Sequence, residues 1–115
     1  MLREIHEEPL AVRQTPGRYV KNGMPDLRGA FDGEYERLTM VACGTVMHAA
    51  LVGKWLMERL ARIPVEVCIA SEFRCNRPAL SPNQRVVAIS QSGETADTPA
   101  AVRLAKALGA LEPRC

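Results

Sequence analysis

Val86-Val87-Ala88-Ile89-Ser90-Gln91-Ser92-Gly93-Glu94-Thr95 decides how this chain folds. Its first four residues are apolar on both faces, which suits a central strand of a parallel sheet covered by helices on either side. The next six are small and polar, and a helical pattern follows them. Asp97 or Thr98 can cap that helix, Pro99 fits its first turn, and Ala101, Leu104, Ala105 and Leu108 make its apolar face. Gly109 is a natural stop.

The same arrangement occurs upstream. Leu38-Thr39-Met40-Val41-Ala42-Cys43 reads as a strand, and Gly44-Thr45 leads into a helix over residues 46–61. In that helix Ala49, Val52, Leu56 and Leu60 fall on one face with Trp55 beside them. Lys54, Glu58 and Arg62 fall on the opposite face. Ile63-Pro64 ends it. Residues 65–70 form a second strand, and residues 71–84 are mostly loop, with a helical turn at Ser71-Glu72-Phe73-Arg74. From residue 38 the order is β-α-β-loop-β-α, which predicts an α/β fold with a parallel sheet. Residues 2–13 look helical, with Pro9 near a start or a break, and residues 14–33 read as loop. The expected organisation is a helical arm at 1–33, an α/β domain at 34–110 and a tail at 111–115.

Bulk composition excludes several classes. The 115 residues suffice for one small domain, and 47% apolar and 24% charged content is that of a globular chain. A net charge of +2 does not point to nucleic acid. No apolar run reaches the ~18 residues of a membrane span, and the N-terminus has no secretory h-region. These features favour the cytoplasm. Cys43, Cys68, Cys75 and Cys115 show no C-x-x-C spacing and form no metal-ligand pattern with His6 or His48. They are expected to be reduced, buried thiols, and neither a metal nor a cofactor is called for.

Both strand-to-helix junctions favour an anion. A helix N-terminus presents unpaired N–H groups and about half a positive charge. Gly44 and Gly93 permit sharp turns, while Thr45, Ser90, Ser92 and Thr95 offer hydroxyls and Gln91 an amide. Neither a Walker lysine motif nor a dinucleotide fingerprint is present. A single phosphate is therefore the best match, against the plainer alternative that these are capping residues. Glu94 is a base or, as favoured, a charge at the helix's positive end. His48 is expected to be packed or exposed, and Arg74 and Arg77 to be solvated charges able to neutralise a phosphate.

Ser90-Gln91-Ser92-Gly93-Glu94-Thr95-Ala96-Asp97-Thr98 resembles the signature of the sugar isomerase (SIS) domain. Glu4-Ile5-His6-Glu7-Glu8-Pro9, Asp26-Leu27-Arg28-Gly29, Ala42-Cys43-Gly44-Thr45 and Ala70-Ser71-Glu72-Phe73-Arg74 extend the resemblance to the glutamine–fructose-6-phosphate aminotransferase family. It covers residues 1 to about 110. The resemblance implies a three-layer, flavodoxin-like SIS fold from a dimeric enzyme that makes glucosamine-6-phosphate. It implies that Gly44, Thr45, Ser90, Gln91, Ser92 and Thr95 hold the phosphate and hydroxyls of fructose-6-phosphate. It places no catalytic residue within this chain. A sugar-phosphate-sensing SIS module is the first alternative, disfavoured because no basic recognition helix precedes residue 38. Another SIS isomerase is the second, disfavoured by the Glu4–Pro9 segment.

Two departures from the family stand out. Val46 replaces a usual serine and removes one hydroxyl contact. The glutaminase domain and the second SIS domain, with the lysine, glutamate and histidine of isomerisation, are not represented. Leu111-Glu112-Pro113-Arg114-Cys115 also does not resemble the family's continuation. The expectation is a fragment, truncated gene or frameshifted product with about three strands. One unpaired sheet edge and limited burial then predict marginal stability.

Overall fold

The computed structural model describes residues 2–25, 33–91 and 96–114. The chain divides into two units, Met1–Gly33 and Glu34–Cys115.

In the first unit, helix α1 spans Leu2–Tyr19 and contains Pro9 and Pro16. It is longer than residues 2–13 and does not break at Pro9. An Arg3–Glu7 ion pair at 2.9 Å and a bond from the Thr15 hydroxyl to the Ala11 carbonyl, 2.8 Å, support the turns beside the prolines. Strands β1 (Val20–Lys21) and β2 (Met24–Pro25) form a small antiparallel hairpin. Its turn is Asn22-Gly23, both at positive φ, the dipeptide that the twist of a two-residue hairpin favours. Residues 14–25 are thus more ordered than the loop expected there.

In the second unit, strands β3 (Arg37–Ala42), β4 (Val65–Ile69), β5 (Gln84–Ile89) and β6 (Leu111–Arg114) form one parallel sheet in the order β4-β3-β5-β6. Helix α2 (Val46–Leu56), continued by a π-helical turn at Met57–Ala61, packs on one face. Helices α3 (Ala70–Asn76) and α4 (Asp97–Ala107) pack on the other. This is a three-layer α-β-α sandwich. Leu38 to Ala42 of β3 are all buried, because helices cover both faces of this strand.

Each face has its own core. Phe73, Val41, Val86, Ala101 and Ala105 close one. Leu38, Met40, Ala42, Ala50 and Val65 close the other. Gln84 bridges β5 to β3 inside the sheet. Its Nε2 donates to the Thr39 hydroxyl at 2.6 Å, and its Oε1 accepts from the Ser81 amide at 3.1 Å.

The structure corrects three expectations. First, the sheet has four strands, one more than expected, because Leu111–Arg114 adds to β5 instead of forming a tail. Pro113 is compatible with this, since an edge strand need not donate on its outer side. Second, α2 buries the face opposite to the one expected. Val46, Met47, Ala50 and Met57 meet the sheet, whereas Val52, Trp55 and Leu60 are exposed. Lys54 and Glu58 are half-buried, and Glu58 Oε1 accepts from the Val65 amide at 3.1 Å. The helix is apolar almost all round, so periodicity alone cannot choose a side. Close approach chooses it: a Cβ on Gly53 would lie 3.2 Å from Met40 Cε. Third, α4 begins at Asp97 with no side-chain cap. Its end is as expected. Gly109 takes φ +86°, and the Gly109 and Ala110 amides donate to the Lys106 and Ala105 carbonyls, both at 3.1 Å, which forms a Schellman stop.

Arg85 on β5 is 5% exposed, and its Nε and Nη1 have no hydrogen-bond partner among the described residues. Its guanidinium lies 4.9 Å from the centroid of the Tyr35 ring, which supplies part of the lost solvation. Unsatisfied buried donors cost about 1–3 kcal/mol. Arg85→Met is therefore expected to raise stability by about 1 kcal/mol, read as a higher urea midpoint at unchanged slope. A lower midpoint would show that the cation–π contact outweighs the desolvation.

Candidate sugar-phosphate site

Strands β3 and β5 are adjacent and parallel, with Ala42 opposite Ile89. The residues after them therefore leave the sheet side by side. From β3 the chain crosses to β4 on one side; from β5 it crosses to β6 on the other. The β3/β5 boundary is thus a topological switch point, where the two following helices diverge and leave a crevice beyond the carboxyl ends of the strands.

A cavity of about 240 Å³ occupies that crevice, lined by Cys43, Gly44, Thr45, Val46, Ile89, Ser90, Gln91 and Thr98. The first turns of α2 and α4 both contribute to its wall, through Val46 and Thr98. Their N-terminal ends supply partial positive charge from two directions. Gly44 holds φ +58°, a conformation that glycine adopts at little cost and that turns the chain from strand to helix within three residues. Thr45 is exposed and its hydroxyl makes no capping bond. That leaves the plain capping explanation without support at this position.

Four of the six expected ligand-binding residues, Gly44, Thr45, Ser90 and Gln91, meet in this cavity. Ser92 and Thr95, with Gly93 and Glu94, lie outside the described residues. Thr98 is a wall residue that the sequence suggested only as a cap. Its side chain is buried, and its place three residues past Thr95, at the end of the signature, was the available signal. Val46 lines the same wall and also packs into the core below, so the wall is apolar at this position.

The remaining candidates separate. His48 is exposed, and Arg77 caps α3 at φ 44°. Arg74 is not a free loop charge; it pairs through Nη1 with Asp97 Oδ1. Cys43 and Cys68 are free thiols, half-buried where burial was expected; Cys75 is exposed, and Cys115 lies outside the described residues. Desolvation pushes the Cys68 thiol above its ordinary value, and the carboxylate of Glu66 adds to this, which disfavours thiolate chemistry there. Among the described residues no group of three His, Cys, Asp or Glu side chains could hold a metal ion. No helix among them is long and apolar enough to cross a membrane.

The SIS domain model matches residues 34–111. This chain belongs to the SIS family. As an SIS domain it has relatives along nearly its whole length. It is 46% identical over 116 aligned residues to a glutamine–fructose-6-phosphate aminotransferase (isomerising) of Clostridium acetobutylicum, covering 96% of this chain and 19% of the relative. It is 50% identical to the protein of that name from Methanothermobacter thermautotrophicus, covering 91% of this chain and 17% of the relative. The chain thus spans about a fifth of the length of these curated relatives. Among solved structures it resembles the C-terminal domain of glucosamine-fructose-6-phosphate aminotransferase from Francisella tularensis, with TM-score 0.85 and 35% identity, over 96% of this chain and 32% of that one. A putative phosphosugar isomerase from Bacillus subtilis matches with TM-score 0.62 and 30% identity, over 75% of this chain and 26% of that one.

Proposed function

We propose that this SIS domain is the fructose-6-phosphate-binding part of a glutamine–fructose-6-phosphate aminotransferase, the cytoplasmic, homodimeric enzyme that makes glucosamine-6-phosphate. The observation that carries this reading is the cavity at the β3/β5 switch point, which is lined by two helix starts and three polar residues, Thr45, Ser90 and Gln91. The phosphate would rest at the starts of α2 and α4. Hydroxyls of Thr45, Ser90, Ser92 and Thr95 would donate to its oxygens, Gln91 would reach phosphate or sugar oxygens, and Gly44 would let the backbone approach.

In the parent reaction, ammonia released from glutamine reaches the sugar ketone and the resulting imine is isomerised to the amino sugar. This domain would contribute orientation, holding the substrate by its phosphate while groups elsewhere in the enzyme move protons. It is proposed to be inactive alone and to need no cofactor. The extent of the resemblance favours this assignment over another SIS isomerase: the aminotransferase domain aligns with 96% of the chain, against 75% for the phosphosugar isomerase.

Titration of the folded 115-residue chain with fructose-6-phosphate, followed by amide NMR, tests the site. Shifts concentrated at residues 44–46 and 90–95 are expected. Unmoved resonances there at saturating ligand would remove the reading.

A further inference from the structure

Asp97 poses a difficulty for any anion in this cavity. It is the first residue of α4, next in sequence to the cavity-lining Thr98. An acidic side chain in the first turn stabilises a helix because it faces the positive end. The same charge repels a phosphate seeking that end. The structure contains the countermeasure. Arg74, in the last turn of α3, reaches across to Asp97 and pairs Nη1 with Oδ1. These residues are 23 apart in sequence and are brought together by the packing of α3 against α4.

We infer that Arg74 is a positioning residue for phosphate binding, which acts through Asp97 by holding its carboxylate aside and cancelling its charge. This rests on the proposed phosphate site. The guanidinium carries a planar fork of donors suited to a carboxylate. Both side chains are only partly buried, with 45% and 37% of their surface exposed, so the pair contributes little to folding. Its stronger consequence is local: with the carboxylate neutralised, the start of α4 presents net positive potential to the cavity.

The two partners then have opposite effects on binding, which a merely structural tether would not. Arg74→Ala exposes the Asp97 carboxylate and is expected to weaken fructose-6-phosphate or inorganic phosphate binding about two- to fivefold. Asp97→Asn breaks the same pair but leaves a free guanidinium near the site, so it should bind as tightly as the wild type or tighter. The double variant Arg74→Ala/Asp97→Asn should return close to wild-type affinity, and Arg74→Lys should also retain it. The Arg74→Ala defect should shrink in about 0.5 M salt, where exposed charges are screened. Calorimetric titration of the full chain gives the affinities, with circular dichroism melting run in parallel. Equal weakening by both single substitutions would overturn the inference in favour of a tether. So would an Arg74→Ala protein with wild-type affinity, or one whose binding falls only with its melting temperature. A wild-type chain that binds neither ligand would defeat the phosphate site itself, and this inference with it.

Discussion

Phe73→Ala should unfold much of this protein at room temperature. Phe73 is 2% exposed and sits in the core between α3, α4 and the sheet, against Val41, Val86, Ala101 and Ala105. Its neighbours are mostly alanines or short β-branched residues on regular elements, which cannot rotate into the vacated space. Phenylalanine-to-alanine substitutions in such cores cost about 3–5 kcal/mol. Small domains have only about 5–15 kcal/mol in total, and this sheet of four strands, with an edge at β6, belongs at the lower end. Urea unfolding followed by circular dichroism is expected to show a cooperative wild-type transition, and a variant already partly unfolded without denaturant. A loss below about 1 kcal/mol would mean that the α3/α4 face does not hold the fold together. The π-helical turn at Met57–Ala61 and the αL residue Arg62 are poorer places to look for such an effect, since no residue of that turn is buried.

Thr45→Asp should separate binding from stability. Thr45 precedes the first turn of α2, is exposed, and lines the cavity. A carboxylate there faces the helix's positive end and should add about 0.3–1 kcal/mol to stability. The same carboxylate would occupy the place of a phosphate oxygen's donor and set like charge against like. Such juxtapositions cost several kcal/mol, so fructose-6-phosphate affinity should fall at least about 30-fold, equivalent to roughly 2 kcal/mol. Melting and calorimetric titration on one preparation check both signs. A more stable protein that no longer binds is the expected result. Unchanged affinity would mean that the anion does not sit at the start of α2.

Much of this was legible in the residues. The strands at 38–43, 65–70 and 86–89 are short apolar runs, the first and third followed by small polar residues and then helical periodicity, and each appears within a residue or two of its expected place. Gly109 stops α4 as expected, because a left-handed stop after a helix needs a residue without a Cβ. These are local matters, set by backbone sterics and by the alternation of apolar and polar side chains. The polar content of the two junction loops is local as well, so the candidate ligands Thr45, Ser90 and Gln91 could be named before any fold was known.

What the chain could not reveal locally is which side of an element meets another. Helix α2 carries apolar residues on nearly every side, so the burial of Ala50 over Trp55 depends on how closely Gly53 lets the helix approach Met40. The strand at Leu111–Arg114, with its glutamate, proline and arginine, has no intrinsic signal; it exists because β5 offers an open edge to pair with. The pairing of Arg74 with Asp97 likewise appears only when α3 lies against α4. Sequence by itself determined the elements and the chemistry of their ends, since both follow from interactions between near neighbours. Tertiary structure alone decided the strand order β4-β3-β5-β6, which sets the two polar junctions beside each other, because pairing between distant strands depends on the global burial of both sheet faces.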